Sequence, residues 1–251
     1  MFNYFLSVAL TLSAYSAGAQ AVVHQCPVTT VDAETFIAQV ARKQGKDLSP
    51  FELLFVRDNT ARMKQRLDRG FDINSCGGPF DSSLLGAAAA LGLKSDVQLA
   101  LAQGAELERP LSARGESALI QALSNNRFDV AQLLISAGAD VHSTYGAAYQ
   151  YNALDAISMA MNDPKLDSRK QLEVAQYLLQ KGVSPNRKDL NPSLGMTPLI
   201  KAVIYDKPAL VELFLKYDAD PRLTANNGKS AIDYAQSMKR TEILRMLQTG
   251  Q

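Results

Sequence analysis

The sequence predicts an all-α solenoid of stacked helix–turn–helix units joined by hairpin-like fingers, with an extra capping helix at its N-terminal end. Three observations predict it. A capping residue followed two positions later by an apolar one recurs at Ser49, Ser83, Ser117, Asn152, Thr197 and Ser230, at intervals of 34, 34, 35, 45 and 33 residues. A helix-terminating residue recurs 21 positions after four of these starts, at Gly70, Gly104, Gly138 and Asp218. Between the two, apolar residues fall at helical spacing. A period near 34 residues is that of a helical repeat array, in which neighbouring units stack to bury faces that none can bury alone.

Residues 1–21, MFNYFLSVALTLSAYSAGAQA, carry no charged side chain and run from apolar to small residues. They read as a secretory signal peptide, too short in their apolar stretch for a spanning helix, which needs about 20 apolar residues. Small–x–small sites at Ala17-Gly18-Ala19 and Ala19-Gln20-Ala21 place cleavage after Ala19 or Ala21. The mature chain is then expected in the periplasm or outside the cell. Val23-His24-Gln25-Cys26 lacks the small residues that precede a lipidated cysteine, and no Asn-x-Ser/Thr sequon occurs, which fits a bacterial envelope. Cys26 and Cys76 are the only cysteines. In an oxidising compartment an even pair points to one disulfide, stabilising by about 4 kcal/mol in the chain-entropy model; left unpaired, both act as small hydrophobes.

Residues 22–48 form an N-terminal capping segment. Phe36, Ile37 and Val40 lie at helical spacing within Asp32 to Lys43, and Gly45 ends the run. A repeat stack needs such a cap because its open end exposes apolar surface. The array, residues 49–251, follows as about six units. Ser, Asn or Thr at each start supplies an oxygen to the first helix, Pro50 and Pro198 sit where no N–H is missed, and Ser49 with Glu52 spells a capping box. Two positions after each cap come Phe51, Leu85, Leu119, Leu154, Leu199 and Ile232; five after it, Ala88, Ala122, Ala202 and Ala235 let helices approach closely. Nine after it, Asp58, Gly92, Asn126 and Asp206 suit the bend between helices. The fourth unit reaches its glycine, Gly182, nine residues late, so an insertion is expected near Met161 to Lys170. The last helix, Glu242 to Leu247, closes the far end.

The unit tails Gly70-Phe71-Asp72-Ile73-Asn74, Gly104-Ala105-Glu106-Leu107, Gly138-Ala139-Asp140-Val141 and Asp218-Ala219-Asp220-Pro221, with Gly195-Met196-Thr197-Pro198-Leu199, resemble the ankyrin-repeat family. Its signature is T-P-L-H-x-A, then G, L-L and G-A-D-V-N. The signature His is absent throughout, replaced by Glu52, Gly86, Ile120, Asp155, Ile200 and Asp233.

Composition and motifs argue against chemistry. Lys+Arg number 26 against 25 Asp+Glu, a balance without the basic excess that nucleic acid or an anionic membrane requires. With two His, two Cys and no Trp, metal sites and His-dependent catalysis are disfavoured. Gly228-Lys229-Ser230 fails the phosphate-loop pattern because Leu223 stands where the first glycine belongs. No catalytic serine, zinc or redox motif occurs, and the recurring Asp72, Asp140 and Asp220 read as turn formers. No enzyme activity, cofactor or metal is expected.

The resemblance implies a protein-binding role, through a concave groove lined by fingers and first helices. The site residues proposed for it are Arg109 and Arg114 of the second finger, Tyr145, Tyr149 and Tyr151 of the third, Arg187 of the fourth, and groove-facing Tyr205. Tyr and Arg are enriched at binding hot spots; the alternative is that the finger tyrosines pack on one another and stiffen it. Similarity to exported ankyrin-repeat proteins of Gram-negative bacteria implies a monomeric scaffold or protective partner for an envelope enzyme such as a catalase. The alternative class is an immunity protein that neutralises a toxin or lipase effector delivered to the periplasm.

Overall fold

The computed structural model describes residues 32–43, 47–56, 59–77, 82–108, 115–146, 149–160 and 168–249. The expected signal peptide and Cys26 lie outside them. Among the described residues no helix is long and apolar enough to cross a membrane.

Six helix pairs follow one another: α2 (Pro50–Leu53) and α3 (Thr60–Asp68), α4 (Leu84–Leu91) and α5 (Lys94–Ala102), α6 (Ala118–Ser124) and α7 (Phe128–Ser136), α8 (Ala153–Met159) and α9 (Ser168–Gln180), α10 (Pro198–Ile204) and α11 (Pro208–Lys216), α12 (Ala231–Ser237) and α13 (Thr241–Thr249). First helices pack side by side in chain order, and so do second helices, giving two layers of an all-α solenoid. Each first helix starts where its capping oxygen accepts a backbone N–H three residues on: from Glu52 to Ser49, Gly86 to Ser83, Ile120 to Ser117, Asp155 to Asn152, Ile200 to Thr197 and Asp233 to Ser230. Each oxygen satisfies one of the donors a helix start leaves open. Glu52, Asp155 and Asp233 return the bond to the backbone of Ser49, Asn152 and Ser230. Three of the positions that lack the signature His thus close capping boxes with an acid instead.

Of the bends the spacing placed, Asp58 lies outside the described residues and the others are left-handed. Gly92, Asn126 and Asp206 have φ of 77°, 58° and 56° between first and second helices, and Lys239 takes φ 57° in the last unit. After the second helices Gly70, Gly104, Gly138 and Gly182 lie between 80° and 98°, with Asp218 at 60°. A side chain there is strained against the following carbonyl, which is why glycine dominates. Ala88, Ala122, Ala202 and Ala235 are fully buried between helices. Of the insertion expected in the fourth unit, residues 168–170 form the first turn of α9, which runs 13 residues where α5, α7 and α11 run 9.

Ahead of the pairs lies α1 (Ala33–Arg42), with Asp32 capping it through Thr35. Val40 is buried, Phe36 meets the Phe55 ring edge-on at 5.5 Å, and Lys43 pairs with Glu52 at 2.7 Å, so α1 lies against the first pair. Lys43 and the Ser49 bonds outweigh the opposing effect of partial burial and hold the Glu52 carboxyl below its ordinary range. Among the described residues, antiparallel pairing shapes the first, third and fifth fingers. The first is a two-stranded ladder of β1 (Cys76–Gly77) and β2 (Ser82–Ser83), and single antiparallel bridges join Tyr145 to Tyr151 and Thr224 to Ser230.

Candidate functional site

The third finger is closed by reciprocal backbone bonds between Tyr145 and Tyr151, at 2.9 and 2.8 Å. Their rings lie 5.4 Å apart, and the Tyr149 ring lies 5.6 Å from that of Tyr151. Tyr145 is only 7% exposed, and burial drives its phenol well above the ordinary range. The expectation that it meets a partner is corrected: its ring is spent on the finger's interior. Tyr149 and Tyr151 are half-buried.

Beneath this finger lies a feature absent from the expectations. Lys201, on α10, is sealed from solvent with its Nζ 2.6 Å from both Asp155 and Asp189. The same ammonium stands 4.6 Å from the centre of the Tyr151 ring, an attractive placement over the ring's negative face. Each carboxylate has further duties: Asp155 accepts the N–H of Asn152, and Asp189 accepts those of Asn191 and Met196. Burial of charge is tolerable only with such full pairing. Burial raises the Asp155 carboxyl, against the opposing pull of Lys201 and Asn152. One ammonium therefore ties the cap of α8, the third finger and the base of the fourth. Its sequence signal is a lysine between Ile200 and Ala202 in an otherwise apolar helix.

Above the network the last three fingers are laced together. Leu190 N–H donates to Tyr149 O at 2.7 Å, and Asn226 N–H donates to Leu194 O at 2.6 Å. Asn226 also donates to the carbonyls of Asn191 and Pro192. A Cβ at Gly195 would meet the Asn226 side chain at 2.5 Å, so only glycine lets these fingers approach. Arg187 donates to the Gln150 carbonyl and side-chain oxygen, which makes it an internal clamp between fingers. Leu190 is 55% exposed, Leu194 40% and Tyr205 44%. Arg109 and Arg114 lie outside the described residues. Of the proposed site, the structure brings Tyr145, Tyr149, Tyr151 and Arg187 together, and leaves Tyr205 exposed at the end of α10. The exposed leucines were missed because a leucine in a loop has no periodicity to betray it.

A shallow groove of about 590 Å³ lies in the other layer, across α5, α7 and α9, lined by residues including Gln98, Gln132, Tyr177 and Gln180. Glutamine amides share its lining with Lys94, Asp129 and Glu173. Among the described residues no group of His, Cys, Asp and Glu stands close enough to hold a metal ion.

Comparison with known proteins agrees with this geometry. A family model described as "Ankyrin repeats (3 copies)" matches residues 165–251, and one described as "Ankyrin repeat" matches residues 114–145. A curated relative, Alpha-latrotoxin-Lg1a of Latrodectus geometricus, is 27% identical over 140 residues, 55% of this chain. The match spans 9% of that protein's length.

Proposed function

Because this chain belongs to the ankyrin-repeat family, whose repeats serve protein–protein interaction, we propose that it is a non-enzymatic binding partner for another protein in the periplasm. The observation that carries the reading is the laced surface of the third to fifth fingers. It exposes Leu190 and Leu194, with Tyr205 exposed at the far end of α10, and exposed apolar residues on one rigid surface mark interaction sites. The role is that of a scaffold or protective partner for an envelope enzyme such as a catalase. Pull-down of the mature protein from a periplasmic extract is expected to recover one dominant protein, and the double variant Tyr149→Ala, Tyr205→Ala to retain less of it. Undiminished recovery overturns the assignment of the surface. A recovered toxin or lipase in place of a resident enzyme overturns the scaffold role in favour of immunity.

Export places Cys26 and Cys76 where thiols oxidise, and we propose that they form one bridge. Cys76 sits on β1, and no cysteine among the described residues is free. The unreduced mature protein should titrate no thiols; two would refute the bridge.

A further inference from the structure

The charges of the fingers are not evenly spread. Residues 71–82, 105–116 and 139–151, the first three fingers, hold six carboxylates (Asp72, Asp81, Glu106, Glu108, Glu116, Asp140) against Arg109 and Arg114. Residues 183–196 and 219–229, the fourth and fifth, hold Arg187, Lys188, Arg222 and Lys229 against Asp189 and Asp220. The tally runs from −4 to +2 within a chain of net charge +1. The structure sharpens the difference. Asp189 is sealed against Lys201, and Asp220 turns one oxygen onto the N–H of Arg222. Arg187, Lys188, Arg222 and Lys229 form no salt bridge among the described residues, although Lys229 lies near enough to Asp233 to help lower its carboxyl. Leu190 and Leu194 stand exposed on the same finger as Arg187 and Lys188, one bonded through its backbone to the third finger and the other to the fifth.

We propose that the fourth and fifth fingers dock an acidic segment of a partner protein, one that intersperses aliphatic or aromatic side chains among its carboxylates. This rests on the protein-binding reading and names the chemistry of the partner at that same surface. The apolar groups would engage Leu190 and Leu194, while the carboxylates meet the surrounding cations; complementary charge of this kind speeds encounter and excludes wrong partners. The buried network below contributes rigidity, so little ordering is needed on binding. An anionic membrane is the less favoured occupant: the two leucines sit at opposite sides of the fourth finger, next to different neighbours, and not at one projecting apex that a bilayer would take up.

The test uses the mature protein and a fluorescent peptide alternating glutamate with leucine, followed by anisotropy. Two other probes run beside it: a peptide alternating lysine with leucine, and phosphatidylglycerol vesicles. The acidic peptide should bind, and bind more weakly as salt is raised. The variant Lys188→Glu, Lys229→Glu should lose about tenfold or more in affinity, and Leu190→Ser, Leu194→Ser a similar amount, with unchanged thermal melts certifying the fold. No binding of the acidic peptide, equal binding of the lysine peptide, or preference for vesicles overturns the proposal. If the protein recovered in the pull-down is retained by Lys188→Glu, Lys229→Glu but lost with Tyr149→Ala, Tyr205→Ala, the acidic-segment inference fails while the protein-binding reading stands.

Discussion

Where α4 meets α6, the buried side chains of both helices are all apolar, with Leu85, Ala87, Ala88 and Ala89 on one side and Ala118, Leu119, Ile120, Ala122 and Leu123 on the other. Where α8 meets α10, two units on, Asp155 and Lys201 face each other at 2.6 Å, both out of reach of water. The backbone plan is the same at both junctions, and each helix is capped by a side-chain oxygen. The first is held by dispersion and exclusion of water, which set a distance but little direction. The second is held by charge-assisted bonds, which fix direction and extend the constraint through Asp189 into the fourth finger. Rigid, directional packing thus coincides with the finger that exposes Leu190 and Leu194.

Three measurements break or sharpen this contrast, the largest effect first. Lys201→Met leaves two carboxylates buried without their cation and should destabilise by about 3–5 kcal/mol in urea unfolding. The variant that also carries Asp155→Asn and Asp189→Asn should recover much of that loss, since no buried charge then remains. An unchanged midpoint for Lys201→Met would mean that the finger supports itself. At the apolar junction, Ala88→Leu adds volume where the helices touch and should destabilise by about 1–3 kcal/mol. A neutral result there would reveal slack that the fully buried Ala88 does not show.

The third concerns a buried cation outside the network. Lys207, 6% exposed at the start of α11, has its ammonium pushed down to about 8 by burial. Its folded value lies below its unfolded value, so between about pH 8 and 10 the unfolded chain binds more protons than the folded one. Stability contributed by this group therefore rises with pH across that window and is lowest below it. Lys207→Met should raise the unfolding free energy from urea titration at pH 7, by about 1 kcal/mol once solvent screening is allowed for, and flatten the rise towards pH 10. A steeper rise in the variant would contradict the assignment. Set beside Lys201, it separates burial of a lysine from burial of a lysine with two partners.

Much of the fold was legible because its determinants are local. A serine at a cap, a glycine 21 positions later and an alanine five positions after the cap each act on backbone within one unit, so Ser83, Gly104 and Ala88 announce themselves by position. The site was less legible because its determinants are pairs distant in sequence. Asp155 and Lys201 are 46 residues apart, and Arg187 reaches Gln150 across 37. From the sequence, Tyr145 and Tyr205 looked equivalent, yet one is buried and the other 44% exposed. The acid at position 155 showed itself only as a missing histidine, whereas its two bonds explain why an acid serves there.

What the sequence determined by itself is the repeat: its period, its caps, its left-handed turns and the family they belong to, since each depends on a single residue's conformational preference. What only the tertiary structure decided is which polar and aromatic side chains are consumed internally and which face a partner. That choice depends on stacking successive units. Stacking carries Lys201 under the third finger and turns Arg187 inward onto Gln150, while Leu190 and Leu194 are left at the surface.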